Sequence, residues 1–199
     1  MVATEDATPT VRQFLLRPAS GQATRWDGGA HLQVQIAVNG QLQMRHYSLV
    51  GSSDGVHWRI AVKRMDGGRG GSAAMWTQQV GDALPVSGPH NHFALDLSAP
   101  AYLLVAGGIG ITPLVAMAQR LAALSTAKGT PVRMLYGART QDEIAFAGTL
   151  HEALGERLQT FVASDGETID FSAEIAALPP KAQLYTCGPA PMLESIREA

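Results

Sequence analysis

The chain has 199 residues, with 15 Lys+Arg against 17 Asp+Glu, a formal net charge of −2 and no long run of either sign. That balance argues against nucleic-acid binding or membrane-surface attachment, since both rest on clustered basic charge. A single cysteine excludes a disulfide framework and any cysteine-ligated iron–sulfur cluster within these residues.

The start, Met1-Val2-Ala3-Thr4-Glu5-Asp6, lacks the basic-then-apolar pattern of a secretory leader. No run of 18 apolar residues occurs, so the expectation is a soluble cytoplasmic protein with no membrane partner. From Leu32 to Val38 apolar and polar residues alternate, and Asn39-Gly40 supplies the positive-φ pair of a tight hairpin. The return strand is predicted from about Gln41 to Val50, and Asp54-Gly55 marks a second turn. Val56, Trp58, Ile60 and Val62 then fall on one face of a strand, with His57, Arg59, Ala61 and Lys63 on the other. A short strand near Leu84-Pro85-Val86, a loop at Pro89-His90-Asn91 and a segment Phe93-Ala94-Leu95 follow. Short strands with turn punctuation predict a small antiparallel barrel over residues 1–97.

From residue 98 the pattern changes. Tyr102-Leu103-Leu104-Val105-Ala106 is a continuous apolar run, expected of a strand buried on both faces of a parallel sheet. A helix follows, with Leu114, Val115, Met117, Ala118, Leu121 and Leu124 near one face. Strands at 132–136, 160–163 and 183–186 alternate with helices at about 144–154 and 172–178, and a last helix opens at Pro189-Ala190-Pro191. This alternation predicts a doubly wound parallel α/β domain over residues 98–199.

Four segments carry candidate chemistry. Gly107-Gly108-Ile109-Gly110-Ile111-Thr112-Pro113 lies between a buried strand and a helix, where amides at a positive helix end can meet phosphate. Thr112 suits the N-cap and Pro113 the first helical position. The usual dinucleotide fingerprint is incomplete, because Pro113 stands at the third glycine position and Tyr136-Gly137-Ala138-Arg139 lacks the expected acid. In Arg45-His46-Tyr47-Ser48 a guanidinium can neutralise phosphate and a phenol can stack on a planar ring. Gly67-Gly68-Arg69-Gly70-Gly71-Ser72 lets amides converge, with Ser72 placed to cap a helix. Tyr185-Thr186-Cys187-Gly188-Pro189 ends a strand, so Cys187 should line the same crevice as Gly108. Each segment alone has a plain structural reading: a tight turn, an exposed barrel strand, a flexible loop, a cysteine filling the core.

Taken in this order, the four segments resemble the ferredoxin–NADP⁺ reductase superfamily, and most of all its phthalate dioxygenase reductase and vanillate demethylase reductase branch. The resemblance covers nearly the whole chain, from about Phe14. It implies a six-stranded antiparallel flavin-binding barrel followed by the nucleotide-binding α/β domain. Arg45, His46, Tyr47 and Ser48 would bind flavin, with Tyr47 on the isoalloxazine and Ser48 near its N5. Ala61, Val62 and Lys63 would run beside the ring, and Gly70, Gly71 and Ser72 would hold the flavin phosphate. That glycine–serine turn marks the branch using FMN rather than FAD. Gly108, Ile109, Gly110, Ile111 and Thr112 would border the pyrophosphate and nicotinamide. Arg139 and Thr140 would lie near the adenosine ribose, with Asp165 nearby. Cys187 would flank hydride transfer, with Gly188 and Pro189 shaping its loop.

The implied activity is that of an oxygenase reductase. Hydride would pass from NADH to FMN, then single electrons to a [2Fe–2S] centre in a further domain or a ferredoxin, and onward to a terminal oxygenase. NADPH stays open because Arg139 could pair a 2′-phosphate. The branch normally continues into a final strand and a four-cysteine [2Fe–2S] domain; the expectation here is truncation rather than a separate iron–sulfur protein. Val50 stands where the branch often has cysteine. Rival readings are a stand-alone flavin or ferric reductase and a non-enzymatic nucleotide-binding sensor. A metal site at His90-Asn91-His92 lacks a third ligand nearby in sequence, and His31, His46, His57 and His151 are scattered along the chain.

Overall fold

The computed structural model describes all of residues 1–199. The first half forms two three-stranded antiparallel sheets. One pairs β1 (Ala3–Thr8) with β2 (Val11–Leu16) and β2 with β5 (Trp58–Lys63). The other pairs β4 (Gln41–Ser48) with β3 (Ala30–Val38) and β3 with β6 (Val86–Asn91). Alternation in β3 puts Leu32, Val34, Ile36 and Val38 inward, against Phe14, Leu16, Ile60, Val62 and Met75. A single bridge from Leu49 to Ile60 joins the two sheets, giving the expected six-stranded barrel. Helix α1 (Gly71–Trp76) closes one end, its Met75 fully buried.

The second half is a four-stranded parallel sheet in the order β10 (Gln183–Cys187), β7 (Tyr102–Gly107), β8 (Val132–Ala138), β9 (Leu158–Val162). Every residue of β7 is buried because helices cover both faces. Tyr102, Leu104 and Ala106 share a core with α2 (Thr112–Lys128) and α3 (Ala147–Leu154). Leu103 and Val105 face α4 (Phe171–Ala176) and α5 (Ala190–Glu198) through Phe171, Met192 and Ile196. Val11, Val50 and Ala61 of the barrel join the first of these cores, so the two halves pack together. The stretch Gly108–Lys128 is long and apolar enough to cross a membrane, but 61% of its most apolar window is buried in this core.

Several local expectations change. The short strand begins at Val86 rather than Leu84 and takes in Pro89-His90-Asn91, expected as a loop. β6 is an edge strand with a register shift against β3, where a residue without N–H is tolerated. Phe93-Ala94-Leu95 is not a strand; Phe93 packs edge-to-face on Tyr185 with centroids 5.7 Å apart. The helix expected from Ile144 starts at Ala147, because Phe146 adopts φ 62° and the amide of Ala145 donates to the buried Tyr136 hydroxyl.

Thr112 does not cap its helix. A 3₁₀ turn over Gly108–Ile111 runs directly into α2, and the Thr112 Oγ1 donates to the Ile109 carbonyl at 3.0 Å. Pro113 is then the second helical residue. Ser72 also lies inside its helix: Gly70, at φ 79°, is the capping position, and the Ser72 Oγ accepts from the Met65 amide at 3.1 Å.

Candidate functional site

In an open parallel sheet, loops at the carboxyl ends of the strands form the ligand crevice. Here the ends of β7, β8 and β10 (Gly107, Gly137-Ala138 and Cys187) face the barrel across a cleft of about 980 Å³. From the barrel side β4 contributes Arg45, His46, Tyr47 and Ser48, and β5 contributes Ala61, Val62 and Lys63. Tyr47 and Cys187 therefore line one cavity.

Most of the predicted residues come together there. Ser72 stands at the barrel end, Gly108, Gly110 and Thr112 at the turn after β7, and Arg139 after β8; Gly188 and Pro189 follow Cys187. Gly70 and Gly71 sit behind that wall, where Gly71 backs the Arg45 side chain: a Cβ on Gly71 would lie 2.3 Å from Arg45 Nε. Three predicted residues point elsewhere. Ile111 is fully buried in the core, because the 3₁₀ turn rotates it inward and gives its neighbour Ile109 to the cleft. Thr140 donates to Asp142 Oδ1 outside the cleft, and Asp165 is exposed, accepting from Ser164 Oγ at 3.0 Å. Glu167 reaches the cleft instead, its Oε2 accepting from the Val162 amide at 2.6 Å. Sequence reasoning also missed Phe161, Ile169 and Phe171 along the same rim. The rule that ligands gather beyond the carboxyl ends of parallel strands could have found Gly137, Ala138 and the segment after β9.

The glycine turns are built for close approach. A Cβ on Gly110 would stand 2.1 Å from the Cys187 carbonyl oxygen, and one on Gly188 would stand 3.0 Å from the Gly107 amide nitrogen. Backbone amides of two loops can thus converge on one ligand. At the other end the Arg45 guanidinium is aimed by bonds to the Met44 carbonyl and the Gln43 side chain. A flavin phosphate and ring fit this arrangement: a cation backed by glycine, an aromatic face, and an apolar slot beside β5.

Lys63 and Glu143 join across the cleft at 2.9 Å, with side-chain exposures of 21% and 17%. The pair ties the barrel to the parallel-sheet half where water is partly excluded, so its attraction is stronger than that of an open surface pair. A double-mutant cycle on Lys63→Met and Glu143→Gln, measured by denaturant unfolding, is expected to return about 1 kcal/mol of coupling.

Burial pushes the Tyr47 phenol up to about 12, with Arg45 pulling weakly the other way. Burial raises Tyr136 further, and also holds the Cys187 thiol neutral. The sign for Tyr47 follows from its ordinary value of 10 in the unfolded chain. Its contribution to stability is whole below pH 10 and is lost as pH rises toward 12, because the unfolded chain ionises first. Ultraviolet difference titration is expected to show Tyr47 ionising only after the exposed tyrosine of an unfolded control; substitution Tyr47→Phe removes that late step.

Residues 2–95 match the family model described as an oxidoreductase FAD-binding domain, and residues 104–198 that of an oxidoreductase NAD-binding domain. The chain is 40% identical over 188 residues to the phenoxybenzoate dioxygenase subunit beta of Ectopseudomonas oleovorans, covering 93% of this chain and 56% of that protein. It is 32% identical to the vanillate O-demethylase oxidoreductase of Acinetobacter baylyi, covering 96% of this chain and 59% of that one. Among solved structures it superposes on phthalate dioxygenase reductase with a TM-score of 0.86 and 31% identity, over 99% of this chain and 61% of that one. The chain thus spans about three-fifths of the length of these full-length relatives. With both domain models matched in sequence and the cleft lying between their folds, the chain belongs to the ferredoxin–NADP⁺ reductase superfamily, alongside the reductase components of oxygenases.

Proposed function

We propose that the protein is the NADH-oxidising part of an oxygenase reductase: residues 1–97 hold FMN, residues 98–199 hold the nicotinamide nucleotide, and electrons leave singly for a [2Fe–2S] centre. The observation that carries this reading is the shared cleft, with Tyr47 on one wall and Cys187 on the other. Phthalate dioxygenase reductase is a modular structure for electron transfer from pyridine nucleotides to [2Fe–2S], and the named relatives are a dioxygenase subunit and a demethylase oxidoreductase. On that basis the acceptor is an iron–sulfur domain or ferredoxin serving a terminal oxygenase. A free thiol in the cleft suits the reducing cytoplasm.

Flavin, when bound, supplies the capacity to accept a hydride and return electrons one at a time. The chain's own residues bind and orient. Arg45 neutralises the phosphate with a fork of donors, while Ser72 and the turn at Gly70-Gly71 surround it. Tyr47, a neutral phenol at working pH, covers the ring, and Ala61-Val62-Lys63 flank its edge. The Ser48 hydroxyl, in the same cleft wall, would supply a hydrogen bond to the ring. Gly108, Gly110 and Thr112 border the pyrophosphate, and the uncharged Cys187 thiol packs beside the nicotinamide without adding charge. FMN is preferred over FAD because the glycine–serine turn ends on the Arg45 cation, which suits a terminal phosphate. Glu167 on the rim disfavours a 2′-phosphate and so favours NADH; Arg139 pulls the other way.

The test is the cofactor itself. Purified protein loaded with flavin should release FMN on boiling and bleach on adding NADH under argon, with kcat/KM higher for NADH than NADPH. A protein that binds nucleotide without bleaching would be a sensor, and the reading would fail. Turnover with free flavin but none with an iron–sulfur acceptor would favour the stand-alone reductase. Cys187→Ala is expected to slow reduction by NADH about tenfold through loss of packing at the nicotinamide, leaving FMN content unchanged. Stopped-flow absorbance reads the first, and the ratio of flavin to protein absorbance reads the second.

A further inference from the structure

Glu143 has no place among the residues assigned to flavin or nucleotide, yet it lines the cleft between the two halves. With Lys63 it forms the one ion pair that joins them. Arg12–Asp6, His57–Asp54 and Arg64–Asp66 lie within the first half, and Arg133–Glu174 lies within the second. Arg45, Arg139 and Glu167, the other charged residues of the cleft, have no ionic partner.

Both ends of the pair are rooted in fixed backbone. Lys63 ends β5, where its register partner Val11 is buried in the core that the two halves share. Glu143 ends a 3₁₀ turn over Gln141–Glu143, and its amide donates to the Thr140 carbonyl at 3.1 Å. The next two residues, Ile144 and Ala145, are buried, and the Ala145 amide donates to the Tyr136 hydroxyl. What can move is the side chains, above all the flexible four-carbon lysine stem. Side-chain exposures of 21% and 17% put the pair at the boundary between cleft and water. With the pair formed the cleft still measures about 980 Å³, at the upper end of the size of ligand pockets. The pair therefore crosses the way in without filling the space for ligand.

We propose that the Lys63–Glu143 pair is a bar across the cleft, which opens to pass the nicotinamide nucleotide and closes again behind it. The proposal rests on the oxidoreductase reading above. Opening needs no movement of the halves: the Lys63 stem swings toward water and the Glu143 carboxylate stays on its anchored turn. The bar closes in the same way over an empty and an occupied cleft, so it slows entry and exit by one common factor and leaves affinity alone. A grip of Lys63 on the nucleotide's phosphates would behave differently. Its loss would weaken affinity, and the dissociation rate would carry the change.

The experiment mixes oxidised, flavin-loaded protein with NAD⁺ in a stopped-flow instrument, so that binding is followed without turnover. The perturbation of flavin absorbance gives an observed rate at each NAD⁺ concentration; the slope is the entry rate constant and the intercept the exit rate constant. The double variant Lys63→Met/Glu143→Gln removes both charges and leaves the net charge of the cleft unchanged. It is expected to raise entry and exit alike by about fivefold, with Kd within about twofold of wild type. Glu143→Asp keeps the charge but draws the carboxylate back by one methylene, and should move both rates in the same direction. If the double variant does not hold flavin, Glu143→Asp decides. Rates that stay within about twofold of wild type in both variants overturn the bar and leave the oxidoreductase reading intact. A change in Kd carried by the exit rate alone does the same. Wild-type protein whose flavin spectrum NAD⁺ does not perturb overturns that reading and the bar with it.

Discussion

Gly110→Ala is expected to lower stability by about 1–3 kcal/mol and to cut reduction by NADH on the order of a hundredfold. The added Cβ would sit 2.1 Å from the Cys187 carbonyl oxygen, 2.4 Å from its carbon and 2.7 Å from the Gly188 nitrogen. All three atoms are backbone, so no side chain can swing aside. The turn is held from one side by α2, whose first seven residues are all buried, and β10 is held by its parallel ladder to β7, which pairs Cys187 with Ala106. One of these must move, and either movement displaces Cys187 relative to Gly108, both of which line the cleft. Thermal unfolding should fall by roughly 2–4 °C per kcal/mol in a chain of this size. Gly148→Ala is the matched control: it lies exposed in α3 with nothing within 4 Å of its Cβ, and is expected to stabilise by about 0.5 kcal/mol. If both variants reduce at the wild-type rate, the close approach of the two loops is not what positions the nicotinamide.

This contrast also marks what the sequence could and could not convey. The glycine turn after β7, the Arg-His-Tyr-Ser strand and the Cys-Gly-Pro loop were legible because each is a local device: a turn needing bare backbone, alternation along one strand, a strand end in a parallel sheet. The continuous apolar run of β7 signalled burial on both faces for the same reason. β1 escaped notice because it is an edge strand with Thr4, Glu5 and Asp6 exposed, and nothing in its pattern implies a buried face. The packing of His46, His90 and His92 around His31 is invisible in the sequence because it depends on cross-strand register between distant residues, including a bulge between His31 and Gln33. The resemblance implies a place in the cleft for Ile111, but the 3₁₀ turn over Gly108–Ile111 buries it in the core. Asp165 and Glu167 differ in the same way. The 3₁₀ turn over Ala163–Asp165 and the φ of 81° at Gly166 bring the second acid, not the first, to the wall of the cleft.

Arg45→Ala is expected to weaken FMN binding by about 1.5–3 kcal/mol, the range for a hydrogen bond to a charged group, or roughly ten- to a hundredfold in Kd. The guanidinium is placed by its bond to the Met44 carbonyl at 2.9 Å, by the Gln43 side chain, and by Gly71, which leaves no space for a Cβ behind it. It stands in the same cleft as Ser72 and beside the first residue of α1, so removing it deletes the positive charge nearest the glycine–serine turn. Arg45→Lys separates the two parts of the effect. A lysine keeps the charge but not the planar fork, so it should bind FMN with intermediate affinity and lose that affinity more steeply as salt is added. Gly71→Ala should resemble Arg45→Ala in direction, because its methyl would push the guanidinium off its seat while leaving the charge in the protein. Fluorescence titration of flavin-free protein with FMN gives the three constants, and flavin content after gel filtration gives an independent check. Should Arg45→Ala bind FMN within twofold of wild type while riboflavin, which lacks the phosphate, binds as tightly as FMN to both, the phosphate lies elsewhere and the glycine–serine turn is a structural bend.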